Sequence, residues 1–123
     1  MKNKTTKTFC FDLDDVICTT KNRDYLKALP KKRVIKLINN LYENGHHIKI
    51  FTGRYMGRYK DNRKRAYSEG FKMTFNQLKK WNLKFHKLIM GKPSFDIFVD
   101  DKAFGFKKNW YKSFQKFTKN KYD

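Results

Sequence analysis

The sequence predicts an α/β fold: a single Rossmann-like, three-layer domain with a mainly parallel sheet. Three observations predict it. Short apolar runs alternate with segments of helical period along the 123 residues. Two of those runs, "FCFDLDD" and "FDIFVDD", end in acids, and ligands of open parallel sheets bind at the carboxyl ends of strands. No internal repeat and no Pro/Gly/Ser linker divides the chain, so residues 1–123 read as one domain.

The elements follow in order. Residues 7–13, "KTFCFDL", read as a short Phe-rich strand. Residues 15–29 are mixed and polar, as in a loop or small hairpin. "LPKKRVIKLINNLYENG" reads as a helix with Pro30 in its first turn, where a missing N–H costs nothing. Val34, Leu37, Ile38 and Leu41 share one apolar stripe, and Gly45 supplies a left-handed stop. "HHIKIFTG" is a second strand. The basic, aromatic stretch 54–82 predicts two helices. The first spans about 60–69 and ends at Gly70; the second spans about 74–81 with Thr74 as N-cap. "LKFHKLIM" (83–90) reads as a third strand and "FDIFVDD" (95–101) as a fourth. Trp110, Phe114 and Phe117 fall at i, i+4, i+7 and predict a C-terminal helix.

Composition supports a folded core: 39% of residues are hydrophobic and 17% aromatic, against 33% charged. No apolar run approaches the roughly 18 residues that a bilayer span needs. The start, "MKNKTTKTFCF", lacks the apolar stretch of a signal peptide. A cytoplasmic protein without a membrane partner is the simplest expectation. Cys10 and Cys18 are too few for a disulfide framework and lack metal-site spacing. Cys10 reads as a small core residue, and Cys18, which could line a flap, is not read as reactive. The net charge of +19 has two readings. One is an anionic partner or substrate. The other is coding bias, because 24 of the 30 basic residues are lysine.

Acids are scarce, at 11, yet Asp12, Asp14 and Asp15 fall within four positions. If the two acid-ended strands are neighbours, Asp100 and Asp101 join them at one sheet edge. Such crowding is unfavourable unless a cation relieves it. Mg2+ is suited, since it takes one or two carboxylates plus water and substrate phosphate. A third strand ends in Thr52 and Gly53, and Lys92 stands eight residues before Asp100. His46, His47 and His86 lie away from these strand ends and read as structural or surface residues.

This order of motifs resembles the haloacid dehalogenase (HAD) superfamily of phosphatases. "FCFDLDD", "IKIFTGR", "GKP" and "IFVDD" match its four motifs in family order and cover roughly residues 7–105. The resemblance implies an HAD-like core and gives each residue a role. Asp12 would be the nucleophile that forms an aspartyl-phosphate. Asp14 would be general acid, then general base. Mg2+ would be held by Asp12, the backbone carbonyl of Asp14 and Asp100, with Asp101 binding through water or orienting Lys92. Thr52 and Gly53 would bind phosphoryl oxygens, with Lys92 as counter-charge. One departure is Asp15-Val16, where the family often has Gly-Thr; it puts the role of Asp15 in question.

About 40 residues separate Asp12 from Thr52, and again Thr52 from Lys92, which leaves no room for a large cap. Capless members act on large exposed substrates or close their sites with a neighbouring subunit, so a homo-oligomer is one expectation. Within that set the chain is similar to small phosphatases of capsular or surface polysaccharide biosynthesis. Their expected substrate is a sugar phosphate or a small phosphorylated alcohol or amine. Arg54, Arg58 or Lys60 would then contact an acidic part of the substrate. Two rival readings stand beside this one: a nucleotide or polynucleotide phosphatase, suggested by the charge, and a non-catalytic basic binding module.

Overall fold

The computed structural model describes residues 5–121. The first strand, β1 (Thr8–Phe11), is followed by β2 (Cys18–Thr19), a 3-10 turn at Tyr25–Lys27 and β3 (Leu29–Pro30). Then come α1 (Lys32–Glu43), β4 (His47–Thr52), α2 (Arg63–Lys80), β5 (Lys87–Met90) and α3 (Trp110–Lys121). β1, β4 and β5 form a parallel sheet in the order β1-β4-β5. Phe11 pairs with Ile50, and Thr52 with Met90. β2 and β3 form a small antiparallel pair, so of the loop or small hairpin expected for 15–29 the structure has a hairpin, which extends to Pro30. The architecture is thus a small α/β domain with a parallel sheet, as its sequence predicts.

The core follows the apolar periods. α1 buries Val34, Ile35, Leu37, Ile38 and Leu41, the expected stripe plus one neighbour. These meet Ile48 and Ile50 of β4, Phe11, Leu13 and Ile17. Gly45, at φ +91°, ends α1 in the left-handed region, and the His46 N–H donates back to the Leu41 carbonyl. On α3, Trp110 and Phe114 are buried and pack against Phe11. Phe117 stays partly exposed beside Phe104.

Four expectations are corrected. Pro30 lies in β3, paired with Cys18; Lys31 is the N-cap of α1, so Pro30 stands just outside the helix. Cys10 is exposed rather than in the core. The two helices expected in 54–82 are one, α2, capped by the Asn62 side chain, which accepts from the Arg65 N–H. Gly70 and Thr74 are both buried inside it.

Gly70 does not stop the helix; it admits a ring. A Cβ there would stand 2.3 Å from Tyr55 Cδ2 and 3.1 Å from Met90 Cε. In an open helix, Gly→Ala gains about 1 kcal/mol. Here the overpacking should reverse the sign, so Gly70→Ala should lose about 1–3 kcal/mol in urea unfolding. A stabilised Gly70→Ala would show that the Tyr55 ring yields freely.

The fourth correction concerns residues 95–101, which form no strand. Ile97 and Val99 are 82% and 88% exposed, so the apolar run is not buried as a strand core would be. Phe95 and Phe98 instead contact each other at 5.0 Å and lie 5.4 and 5.2 Å from the Lys92 ammonium. That cation–π contact draws the segment across the end of β5.

Candidate active site

The three parallel strands end on the same side, and the chain leaves each of them into one cleft of about 330 Å³. β1 supplies Asp12 and Asp14. The chain then turns sharply, with the N–H groups of Val16, Ile17 and Cys18 all directed to the Leu13 carbonyl. Asp15 takes φ +67° to make this turn, and its carbonyl accepts from Lys31 Nζ. β4 supplies Gly53 and Arg54. β5 supplies Lys92, whose N–H donates to the Thr52 carbonyl and ties the two strand exits together. Gly53 is closely packed here, since a Cβ there would stand 3.0 Å from the Lys92 carbonyl oxygen.

Asp12 is partly buried, and its Oδ1 accepts from the Leu13 N–H at 2.8 Å. Its Oδ2 lies 3.2 Å from Lys92 Nζ. Burial pushes the Asp12 carboxyl above the usual carboxylate range, and the Lys92 ammonium works against that push. Asp14 has different company. Thr20 donates its hydroxyl to Asp14 Oδ1 at 2.5 Å. The Arg54 guanidinium forks onto both oxygens, Nε to Oδ2 at 3.0 Å and Nη2 to Oδ1 at 3.0 Å. The two carboxylates of one motif thus face two different cations.

Arg54 is buried, and its remaining nitrogen, Nη1, donates to Gln77 Oε1 at 2.6 Å and to the Thr74 hydroxyl at 3.4 Å. Tyr25 lies 4.9 Å from the guanidinium carbon. Gln77 in turn donates to the Tyr25 carbonyl. The chain reaches this arrangement through Tyr55 at φ +71°, a strained conformation for a bulky residue. Cys18 is buried beside Asp14, and burial pushes its thiol up to about 11, which keeps it unreactive at neutral pH.

Asp12, Asp14, Gly53, Arg54 and Lys92 therefore meet in the cleft. Thr52 does not line it. Its buried hydroxyl accepts the Arg54 N–H at 3.1 Å, so it shapes the turn. Asp100 and Asp101 are exposed and outside the cleft, with Asp100 Oδ1 accepting from the Lys102 N–H. Among the described residues, no three His, Cys, Asp or Glu side chains converge as a metal cluster. His46 is buried with Nδ1 accepting from the Lys7 N–H. His86 stacks on Tyr42 and His47 and accepts from the Ile48 N–H. His46 and His86 thus serve the fold, and His47 is an exposed residue beside His86.

Thr20, Tyr25, Thr74 and Gln77 had no role in the motif reading. Thr20 and Tyr25 sit in a polar stretch with no periodicity. Thr74 and Gln77 lie on a helix more than 50 residues beyond Asp14, so only the fold brings them to Arg54.

No family model matches the chain, and no curated protein matches it. A crystal structure of a structural-genomics (MCSG) target from Vibrio cholerae is similar in fold, with TM-score 0.78. The likeness covers 94% of this chain and 100% of that one at 24% identity. It shows a shared fold. Among the described residues, no helix is long and apolar enough to cross a membrane.

Proposed function

We propose that this protein is a Mg2+-dependent phosphatase that hydrolyses a phosphate monoester through an aspartyl-phosphate. The observation that carries the reading is the pairing of Asp12 with Lys92 in a cleft at the strand ends, 3.2 Å apart and 80 residues apart in sequence. A carboxylate nucleophile needs a nearby cation that can neutralise the incoming phosphoryl group, and Lys92 is placed to do so. An Asp12 oxygen forms a bond to phosphorus while the bond from phosphorus to the leaving alcohol breaks. Asp14 gives the alcohol its proton and later takes one from the water that cleaves the acyl phosphate.

The cleft fits Mg2+ in part. Asp12, which is paired with Lys92 rather than with an arginine, would hold the ion together with the main-chain carbonyl of Asp14. Substrate phosphate and water would complete the shell. Bound there, Mg2+ would neutralise charge on the phosphoryl oxygens. Asp100 joins this set only by a rearrangement of 95–101. A Mg2+-dependent rise in Tm that disappears in Asp100→Ala is the expected sign of it. A rise retained in full leaves the ion to Asp12 and the main chain.

The cleft volume suits a small phosphorylated molecule. With the motif resemblance, this favours a sugar phosphate or a small phosphorylated alcohol or amine of capsule or surface polysaccharide biosynthesis, in the cytoplasm. The test is phosphate release with Mg2+ from a panel of sugar phosphates, amino-alcohol phosphates and nucleotides. Release that EDTA abolishes is the expected result. Folded protein that releases phosphate from none of them counts against the small-molecule reading and leaves a substrate outside the panel, such as a phosphorylated polynucleotide, or the binding module.

A further inference from the structure

The chain's excess of lysine has an explanation in coding bias, but its arginines do not follow it. There are six, and four of them, Arg54, Arg58, Arg63 and Arg65, fall within twelve residues. Asp61 is the sole acid in that stretch, against six basic residues. The fold adds a fifth, because the Arg23 guanidinium lies 3.2–3.5 Å from where a Cβ at Gly57 would stand. Arg33 alone lies on another element, α1.

Tyrosines are interleaved with these arginines. Tyr25 and Tyr55 have ring centroids 5.0 Å apart; Tyr55 and Tyr59 are 6.4 Å apart and nearly parallel, at 12°. Arg58 lies over Tyr55 at 4.7 Å and Tyr25 at 5.8 Å, and Arg65 over Tyr59 at 4.1 Å. Arg58 and Arg65 are exposed, while the three rings are partly buried and so held in place. The row begins at Tyr25, which lines the cleft, and leads away from it.

We propose that this tyrosine–arginine ladder is a binding track for single-stranded nucleic acid. Guanidinium groups fork onto phosphate oxygens, and the tyrosine faces they vacate stack on bases. Only unpaired bases can reach those faces. A saturated acidic glycan supplies the charge but no π face. The track borders the proposed active site but requires no hydrolysis.

The test is fluorescence anisotropy with labelled DNA and RNA of about 12 nucleotides, a length within known single-strand site sizes. The probes carry no terminal phosphate, so turnover plays no part. Binding at about 50 mM salt that weakens steeply with added salt is expected, with single strands preferred over a duplex of equal length. Arg58→Ala/Arg65→Ala should weaken binding about tenfold and reduce the salt slope by about 1.4, as two lost phosphate contacts would. Tyr59→Ala should weaken single-strand binding about fivefold, the loss of one stacked base. Lys112→Ala/Lys116→Ala, which removes two exposed charges from α3, should change affinity by less than about twofold. Circular dichroism would confirm that each variant is folded. The proposal is overturned by absence of binding at low salt, by heparin or duplex binding as tight, or by a lysine pair that costs as much as the arginine pair.

Discussion

Asp14→Ala should destabilise the fold by about 3–5 kcal/mol, because it leaves a buried arginine without its counter-charge. The Arg54 side chain is 0% exposed, whereas that of Asp14 is 23% exposed. The penalty is therefore asymmetric. Losing the carboxylate strands a cation that water does not reach; losing the cation leaves a carboxylate that water does. Arg54→Met should accordingly cost less than Asp14→Ala, and Arg54→Met in the Asp14→Ala background should restore part of the loss. For a chain of this length, Asp14→Ala should lower Tm by about 10 °C or more. A drop of only a degree or two would mean that Gln77, Thr74 and Tyr25 satisfy the guanidinium by themselves. Such a destabilisation also bears on activity assays. Asp14→Asn keeps an oxygen for Thr20 and Arg54 but not the charge, so it should lose less stability than Asp14→Ala, and its activity is to be read per folded molecule.

The elements legible in the sequence were those with a buried face. α1 and β4 show a clear period because one side of each packs on the core, and the structure places both near their expected bounds. Residues 95–101 have the same apolar look, yet apolarity reports only that a segment can be buried. Here Phe95 and Phe98 are drawn to the Lys92 ammonium, and Ile97 and Val99 face solvent. Gly70 misled for a related reason. Glycine marks either a left-handed backbone or a close approach, and a sequence does not say which. Gly45 is the first kind, and Gly70, under the Tyr55 ring, is the second. In the site, residues at strand ends were legible because the strands themselves carry them to one edge. Arg54 was legible as a candidate, but its burial was not. That depends on Gln77 and Thr74 arriving from α2, a contact that local pattern does not encode.

Asp12→Asn should lower turnover by at least about 10³-fold on the phosphatase reading, since the amide is no nucleophile. The same substitution should leave Tm unchanged or raise it, and the pairing of these outcomes is the discriminating result. Burial is the dominant influence on the Asp12 carboxyl and lifts its pKa, so the fold favours the neutral form. Stability from that preference is full below the ordinary carboxylate value and is lost as pH rises through the raised one. At neutral pH the native protein bears the cost of a partly buried charge, and asparagine does not. Asparagine can also keep the bond from the Leu13 N–H that Asp12 Oδ1 now accepts. Lys92 loses its ion pair but retains Phe95 and Phe98 near its ammonium. A residue kept for structure would show the opposite pattern, a lower Tm with activity falling only in proportion to the folded fraction. Melting curves at acidic and neutral pH, beside phosphate release under the same conditions, distinguish the two. If Asp12→Asn melts well below the native protein at neutral pH, the Asp12–Lys92 pair belongs to the architecture of the strand ends, and the nucleophile must be sought elsewhere in the cleft.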